Sequence, residues 1–216
     1  MTSGDLMDLF RDEMADKVTP YLWSDDLVFG YIDDACKRFC RLTDGIPDST
    51  TTTVVNLAIV AGTDTYPLSP LVLKIRTARR ADNGREVLVL NEEDMAPQDR
   101  YFDNLPGIPT ALITGMDVDS VRVHPYPSVD TPMKLSVFRL PLIDVIDDQP
   151  LEIPAQHQRA LLLRAKALAY GKQDAETFDR TKSETFDDKF TGYCAAAKAE
   201  QARARHKPRT VAYGGI

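Results

Sequence analysis

The sequence predicts an α+β protein, mainly helical, with a helical bundle formed by both chain ends, an inserted antiparallel β subdomain and an extended C-terminal arm. Three observations carry that expectation. Apolar residues recur at helical spacing near both ends of the 216-residue chain. From Thr50 to about Pro141 the text becomes β-branched and alternating. The stretch Leu151–Asp174 then switches a Pro-rich, strand-like region into a long Ala-rich helix. The expected boundaries are 1–49 for the N-terminal helices, 50–150 for the β subdomain with its long loop, 151–202 for the C-terminal helices and 203–216 for the arm.

Taken in order, Leu6, Leu9, Phe10 and Met14 mark one helix face, and Pro20 closes that segment. Ser24 is a good N-cap, and Asp25 and Asp26 fall in the first turn, where the helix dipole favours anions. Trp23 before the cap and Val28 after it suit a hydrophobic staple. Val28, Tyr31 with Ile32, Ala35, Phe39 and Leu42 continue the apolar stripe to an end near Gly45 and Pro47.

Thr51-Thr-Thr-Val-Val-Asn-Leu then reads as extended, and Gly62-Thr-Asp-Thr-Tyr-Pro-Leu as a turn into another strand. Val72-Leu-Lys-Ile-Arg and Glu86-Val-Leu-Val-Leu flank Asp82-Asn83-Gly84, a strong hairpin turn. Ser120-Val-Arg-Val-His and Lys134-Leu-Ser-Val-Phe-Arg-Leu flank a proline-stiffened loop. Met95 to Pro109 reads as a long exposed loop, with Tyr101 and Phe102 as candidate partner contacts.

Pro154 suits a first helical turn. Leu161, Ala165 and Leu168 form one row and Leu162 and Ala169 the next, a broad arc expected to pack on more than one side. A last helix is expected from about Asp174, carrying Phe178, Phe186, Phe190, Cys194 and Ala197.

Composition narrows the function classes. Hydrophobic content of 43% and charged content of 27% suit a globular chain, and the formal net charge of −7 disfavours non-specific nucleic-acid binding through the whole surface. No apolar run approaches the roughly 18 residues that span a bilayer. No basic region followed by an apolar stretch suggests a secretory signal at the start. The odd count of three cysteines argues against a disulfide framework and for a reducing compartment.

Charge is uneven: Asp dominates the first fifty residues, and Lys198, Arg203, Arg205, Lys207 and Arg209 gather near the end. That basic tail has three readings. It is a nucleic-acid arm, a docking arm with Val211, Tyr213 and Ile216 as apolar anchors, or a disordered end.

Catalytic signals are sparse. Cys36 and Cys40 lie one helical turn apart, but zinc takes about four ligands and no nearby residue supplies the rest, so buried thiols are the better reading. His124, His157 and His206 have no nucleophile signature around them, although triads assemble from distant positions. The adjacent acids Asp25–Asp26, Asp33–Asp34, Asp147–Asp148 and Asp187–Asp188 suit solvated helix faces better than a carboxylate pair across a cleft. No phosphate loop of either common glycine-rich type is present. No catalytic residue, metal ligand or cofactor is therefore expected.

A series of short motifs, in order, resembles the tailed-bacteriophage head-to-tail adaptor family, also called portal-adaptor or head completion proteins. These are Trp23-Ser-Asp-Asp-Leu, Tyr31-Ile-Asp-Asp-Ala, Ala61-Gly-Thr-Asp-Thr-Tyr-Pro-Leu, Gly107-Ile-Pro and Val123-His-Pro-Tyr-Pro. Leu151-Glu-Ile-Pro with His157, Ala169-Tyr-Gly-Lys-Gln-Asp and Phe186 to Phe190 complete the series over residues 23–205. The family often has Asn where this chain has Asp33 or Asp34.

The resemblance implies a structural virion protein of the neck, assembled in the bacterial host cytoplasm, without enzymatic activity and with no membrane association. It implies a ring of about twelve neighbouring copies beneath the portal protein ring. Such a ring extends the DNA channel, passes genomic DNA without sequence-specific binding and offers a platform to tail or nozzle proteins. In this reading the 203–216 tail docks on portal or neighbour, and the Leu161–Ala169 face packs subunits. The competing readings are a tail-tube or tail-completion protein and, in another class, a phage hydrolase acting on peptidoglycan. A DNA-binding packaging accessory is a further one.

Overall fold

The computed structural model describes residues 1–94, 106–173 and 177–205. The chain forms two compact units, one made of Met1–Thr43 with Asp144–Ile216, the other of Asp44–Ile143.

The first unit opens with α1 (Ser3–Met14), started by a capping box. The Thr2 hydroxyl accepts the Asp5 N–H at 3.2 Å, and the Asp5 carboxylate accepts the Thr2 N–H at 2.8 Å. Leu6 and Phe10 are fully buried. Trp23, in the connection that follows, meets Phe10 edge-on at 5.6 Å between ring centroids. Next comes α2 (Asp25–Thr43), whose buried Val28, Ile32, Ala35 and Phe39 keep one helical row. After Thr43 the chain turns through Asp44 at φ +77 and Gly45 at φ +92, and a Cβ on Gly45 would lie 2.8 Å from the Arg139 carbonyl oxygen, so only glycine fits there.

The second unit starts at β1 (Ile46–Asp48). The β-branched run after it does not begin as a strand: Thr52–Val55 wind into a single turn, α3. The cause is Asp48, whose Oδ1 accepts the N–H groups of Thr50 at 2.8 Å and Thr51 at 3.1 Å and turns the chain first. Then follow β2 (Asn56–Ile59), β3 (Thr65–Pro67), β4 (Val72–Arg80), β5 (Glu86–Asn91), β6 (Pro106–Gly107), β7 (Ala111–Thr114), β8 (Ser120–His124), β9 (Tyr126–Pro127) and β10 (Thr131–Arg139). The β4–β5 hairpin turns at Gly84, φ +69, with the Arg80 N–H on the Arg85 carbonyl at 2.9 Å.

The main sheet runs β1-β10-β4-β5-β7-β8-β3, with β2 sharing the β10 edge that β1 uses further along. It curls at β5, where Glu86 and Val87 pair with β4 while Leu88–Asn91 pair with β7. Inward alternation on each strand builds one core, including Leu57, Ile59, Tyr66, Ile75, Leu112, Val121, Met133 and Val137. The Tyr66 hydroxyl accepts the Val60 N–H at 2.8 Å and sits 2.9 Å from the Val60 and Thr63 carbonyls, fastening the short β2–β3 connection.

The chain re-enters the first unit through α4 (Ala155–Gln158) and α5 (Leu161–Gly171). This is one correction, since a single long helix was expected over the stretch ending at Asp174. Tight contacts from the Ala160 N–H to the His157 carbonyl and from Leu163 to Ala160 break it after one turn. Last comes α6 (Arg180–Arg205), which begins after Asp179 rather than near Asp174. The Asp179 carboxylate accepts the Lys182 N–H at 3.0 Å as its cap, leaving Phe178 before the helix and 49% exposed.

The larger correction concerns fold class. The chain is not mainly helical, and its helices are not a bundle formed by both ends. Residues Asp44–Ile143 are a sheet-built unit in their own right, and its sheets are mixed, because β5–β7 and β6–β9 pair in parallel. Among the described residues four helices exceed one turn, with 12, 19, 11 and 26 residues. A bundle needs helices sharing a continuous seam, whereas the longest buries only Phe190, Cys194 and Ala197 among its apolar residues. Residues Arg203–Arg205, expected in an extended arm, continue α6.

Candidate functional site

On α5, Leu161, Leu162, Ala165 and Ala169 are buried within their own unit, and Leu168 is half-buried. The helix packs on α2, α6 and α1, so its apolar arc serves the interior of the first unit. Its polar side is tied down as well. Arg164 reaches Asp34 on α2 and Asp187 on α6, each at 2.8 Å, and Lys166 pairs with Glu13 on α1. Arg203 is exposed on the last turn of α6, and the backbone of Arg205 is helical. Lys207, Arg209, Val211, Tyr213 and Ile216 lie outside the described residues, as do Tyr101 and Phe102.

The candidate catalytic groups serve the fold. His157 is buried, its Nδ1 2.9 Å from the Tyr193 hydroxyl and its ring 5.2 Å from that of Phe39. Cys36, Cys40 and Cys194 are buried free thiols. Burial, with Cys40 and Asp33 nearby, pushes the Cys36 thiol up, and burial lifts Cys194 to about 11, so neither is a ready nucleophile. Among the described residues no group of His, Cys, Asp and Glu could hold a metal ion. No described helix is long and apolar enough to cross a membrane.

The paired acids divide their work. Asp25 pairs with Arg11, Asp33 with Lys37 at 2.7 Å, and Asp34 and Asp187 with Arg164. Asp148 accepts the Gly4 N–H at 2.9 Å.

What the molecule presents outward is apolar loop surface. The α1–α2 connection exposes Val18 by 78%, together with Tyr21 and Leu22. It is held in one shape by a buried ion pair. Arg11 donates to Asp16 at 2.8 Å and to the Trp23 carbonyl at 3.1 Å, Asp16 accepts the Leu22 N–H at 2.9 Å, and the Arg11 guanidinium lies 3.7 Å from the Tyr21 ring centre. Apolar side chains on a preordered loop lose little entropy on docking.

A second set, Leu142, Ile143 and Ile146, follows β10 along the chain. A third, Val60, Ile108 and Val129, lies on loops of the sheet unit. Those loops are tied together by Gly62 N–H to the Pro127 carbonyl at 2.9 Å, Ala61 N–H to Asp130 at 2.8 Å and Ser128 N–H to the Gly107 carbonyl at 3.0 Å. Where β4 and β5 diverge, a cleft of about 640 Å³ opens, bordered by Val72, Val89, Asp94 and Asp119. Sequence reasoning missed these surfaces because a lone apolar residue in a turn has no periodic signal.

One family model, described as SU10 adaptor protein, matches residues 1–212. None of the curated proteins compared matches the chain.

Proposed function

The chain belongs to the SU10 adaptor protein family, and from that premise we propose that it is a head-to-tail adaptor of a tailed bacteriophage. In this reading it is a structural virion protein of the neck, assembled in the host cytoplasm. About twelve copies form a ring beneath the portal, continue the DNA channel and offer the tail its platform. The observation that carries the reading is a family match over residues 1–212, nearly the whole chain.

Physical arguments support it. A net charge of −7 suits a conduit that must not hold DNA by its phosphates. Val18, Tyr21 and Leu22, on a loop fastened by Arg11 and Asp16, suit a docking contact with portal or neighbour. The tail residues Arg203, Arg205, Lys207, Arg209, Val211, Tyr213 and Ile216 are assigned to portal or neighbour docking, and Tyr101 and Phe102 to a partner contact.

The test is co-sedimentation with purified portal rings, with the mass of the complex measured. A stable complex with as many copies as the portal has subunits is expected. No complex, or a stoichiometry far from the portal's own, would sink the portal assignment.

A further inference from the structure

The outer face of the sheet concentrates positive charge on a chain whose net charge is −7. Along β10, Met133, Leu135 and Val137 point into the core, which leaves Lys134 and Ser136 on the other face. Register sets Arg79 of β4 directly opposite Lys134, and Lys74 opposite Phe138. Arg76 is the extra residue where the register shifts, and it lies 5.0 Å from the Phe138 ring centre. Lys74, Arg76, Arg79 and Lys134 are all exposed, and none has an ion pair among the described residues.

Like charges directly opposite each other weaken an antiparallel pair. Glu86 of β5 faces Arg79 from its other side, yet no ion pair joins the two among the described residues. The face is therefore disfavoured in the isolated chain and suited to an anionic partner.

The chain carries a matching surface. Asp5, Asp8 and Asp12 recur on the exposed face of α1, away from the buried Leu6 and Phe10. Asp8 has no ion pair among the described residues, and the Lys17 that pairs with Asp12 is itself 64% exposed. The acidic stripe spans about 10 Å at helical rise and the basic one about 16 Å along a strand, so the two can overlap.

The geometry points to a head-to-tail contact in which the basic β4–β10 face of one copy receives the acidic α1 face of a second copy. This rests on the ring reading above and deepens it by assigning both halves of the subunit interface. The two surfaces differ, so the contact is heterologous and repeats from copy to copy until it closes. DNA phosphate is the competing anion, but four cations per copy would hold DNA that a conduit must release.

The experiment is a charge swap in the full-length protein. One variant combines Arg79→Glu with Lys134→Glu, the other Asp8→Lys with Asp12→Lys, and self-association is followed by sedimentation at low salt, with circular dichroism confirming the fold. Wild-type association should weaken with added salt, and each variant alone should associate at least about tenfold more weakly. The equimolar mixture should recover association, because a contact between the two variants again sets opposite charges against each other at the exchanged positions. The single change Lys134→Glu should raise the Tm while weakening association, a combination that a purely structural role would not give.

No wild-type association, variants that associate as well as wild type, or a mixture that fails to recover would each overturn the contact. So would retardation of DNA at physiological salt that the basic-face variant abolishes. The portal experiment is read separately: copies that associate as described without binding portal remove the portal reading alone, and portal complexes unchanged by both variants remove this contact alone.

Discussion

Asp48 is a residue whose role no sequence pattern announced. Its Oδ2 accepts from Arg139 Nε at 2.6 Å, while its Oδ1 takes the Thr50 and Thr51 N–H groups. Burial alone would raise this carboxyl; the hydrogen bonds from Thr51, Arg139 and the two backbone N–H groups outweigh it and hold the group below its usual range. A depressed folded-state value means stability that is present above the unfolded value, 3.8, and lost as pH falls below it. Asp48→Ala should cost about 3–5 kcal/mol at neutral pH, because it removes one half of a buried ion pair together with the acceptor of the Thr50 and Thr51 N–H groups. Denaturant titration checks this, and the gap between wild type and variant should narrow as pH drops below 3.8. A gap that stays constant as the pH falls well below 3.8 would rule out the carboxylate as its source. Cys36 and Cys40 are buried thiols, as their spacing on a core-facing helix suggests, and Cys194 and His157 are buried in the first unit as well.

At the scale of elements, legibility followed the length of the periodic signal. The helix α2 carries five turns of apolar stripe between an N-cap and a glycine, and its limits, Asp25–Thr43, lie where those signals put them. Strands β4, β5, β8 and β10 alternate long enough to be read, and Asp82-Asn83-Gly84 turns the hairpin as its chemistry requires. Thr52–Val55 and β7 were not legible. The first obeys a hydrogen bond network centred on Asp48; the second is a short apolar run, Ala-Leu-Ile-Thr, with no alternation. The helix α6 illustrates how narrow a packing stripe can be. Phe190 is fully buried on it, so Phe190→Ala should cost about 3–5 kcal/mol and loosen α6 from α5 and α2. Thermal unfolding followed by circular dichroism reads this, and a loss below about 1 kcal/mol would mean that polar contacts hold the helix instead, namely Arg164 on Asp187 and the Ser183 hydroxyl donating to the Ala167 carbonyl at 2.7 Å.

For the whole molecule, the family was legible because ordered motifs over residues 23–205 are a property of the chain alone, and the family match over 1–212 bears that resemblance out. The proposed assembly yields one more expectation. Ala197 is the last buried apolar residue of α6, so a chain lacking residues 203–216 should keep its helix signal and Tm but bind portal or neighbours less well. Undiminished complex formation by that truncated chain would count against a docking tail. The surfaces assigned to assembly were not legible, because exposure depends on which faces the fold covers. The apolar arc of α5, legible as a broad stripe, is spent inside its own unit, whereas the loop bearing Val18 and Leu22 is held outward by Arg11 and Asp16. By itself the sequence determined the strong helices, the long strands, the hairpin and the family, since each is written in local periodicity or ordered motifs. Only the tertiary structure decided the mixed, curled sheet, the absence of a helical bundle and the basic face set by β4–β10 register. Those depend on pairings between residues far apart in the chain, which no local pattern encodes.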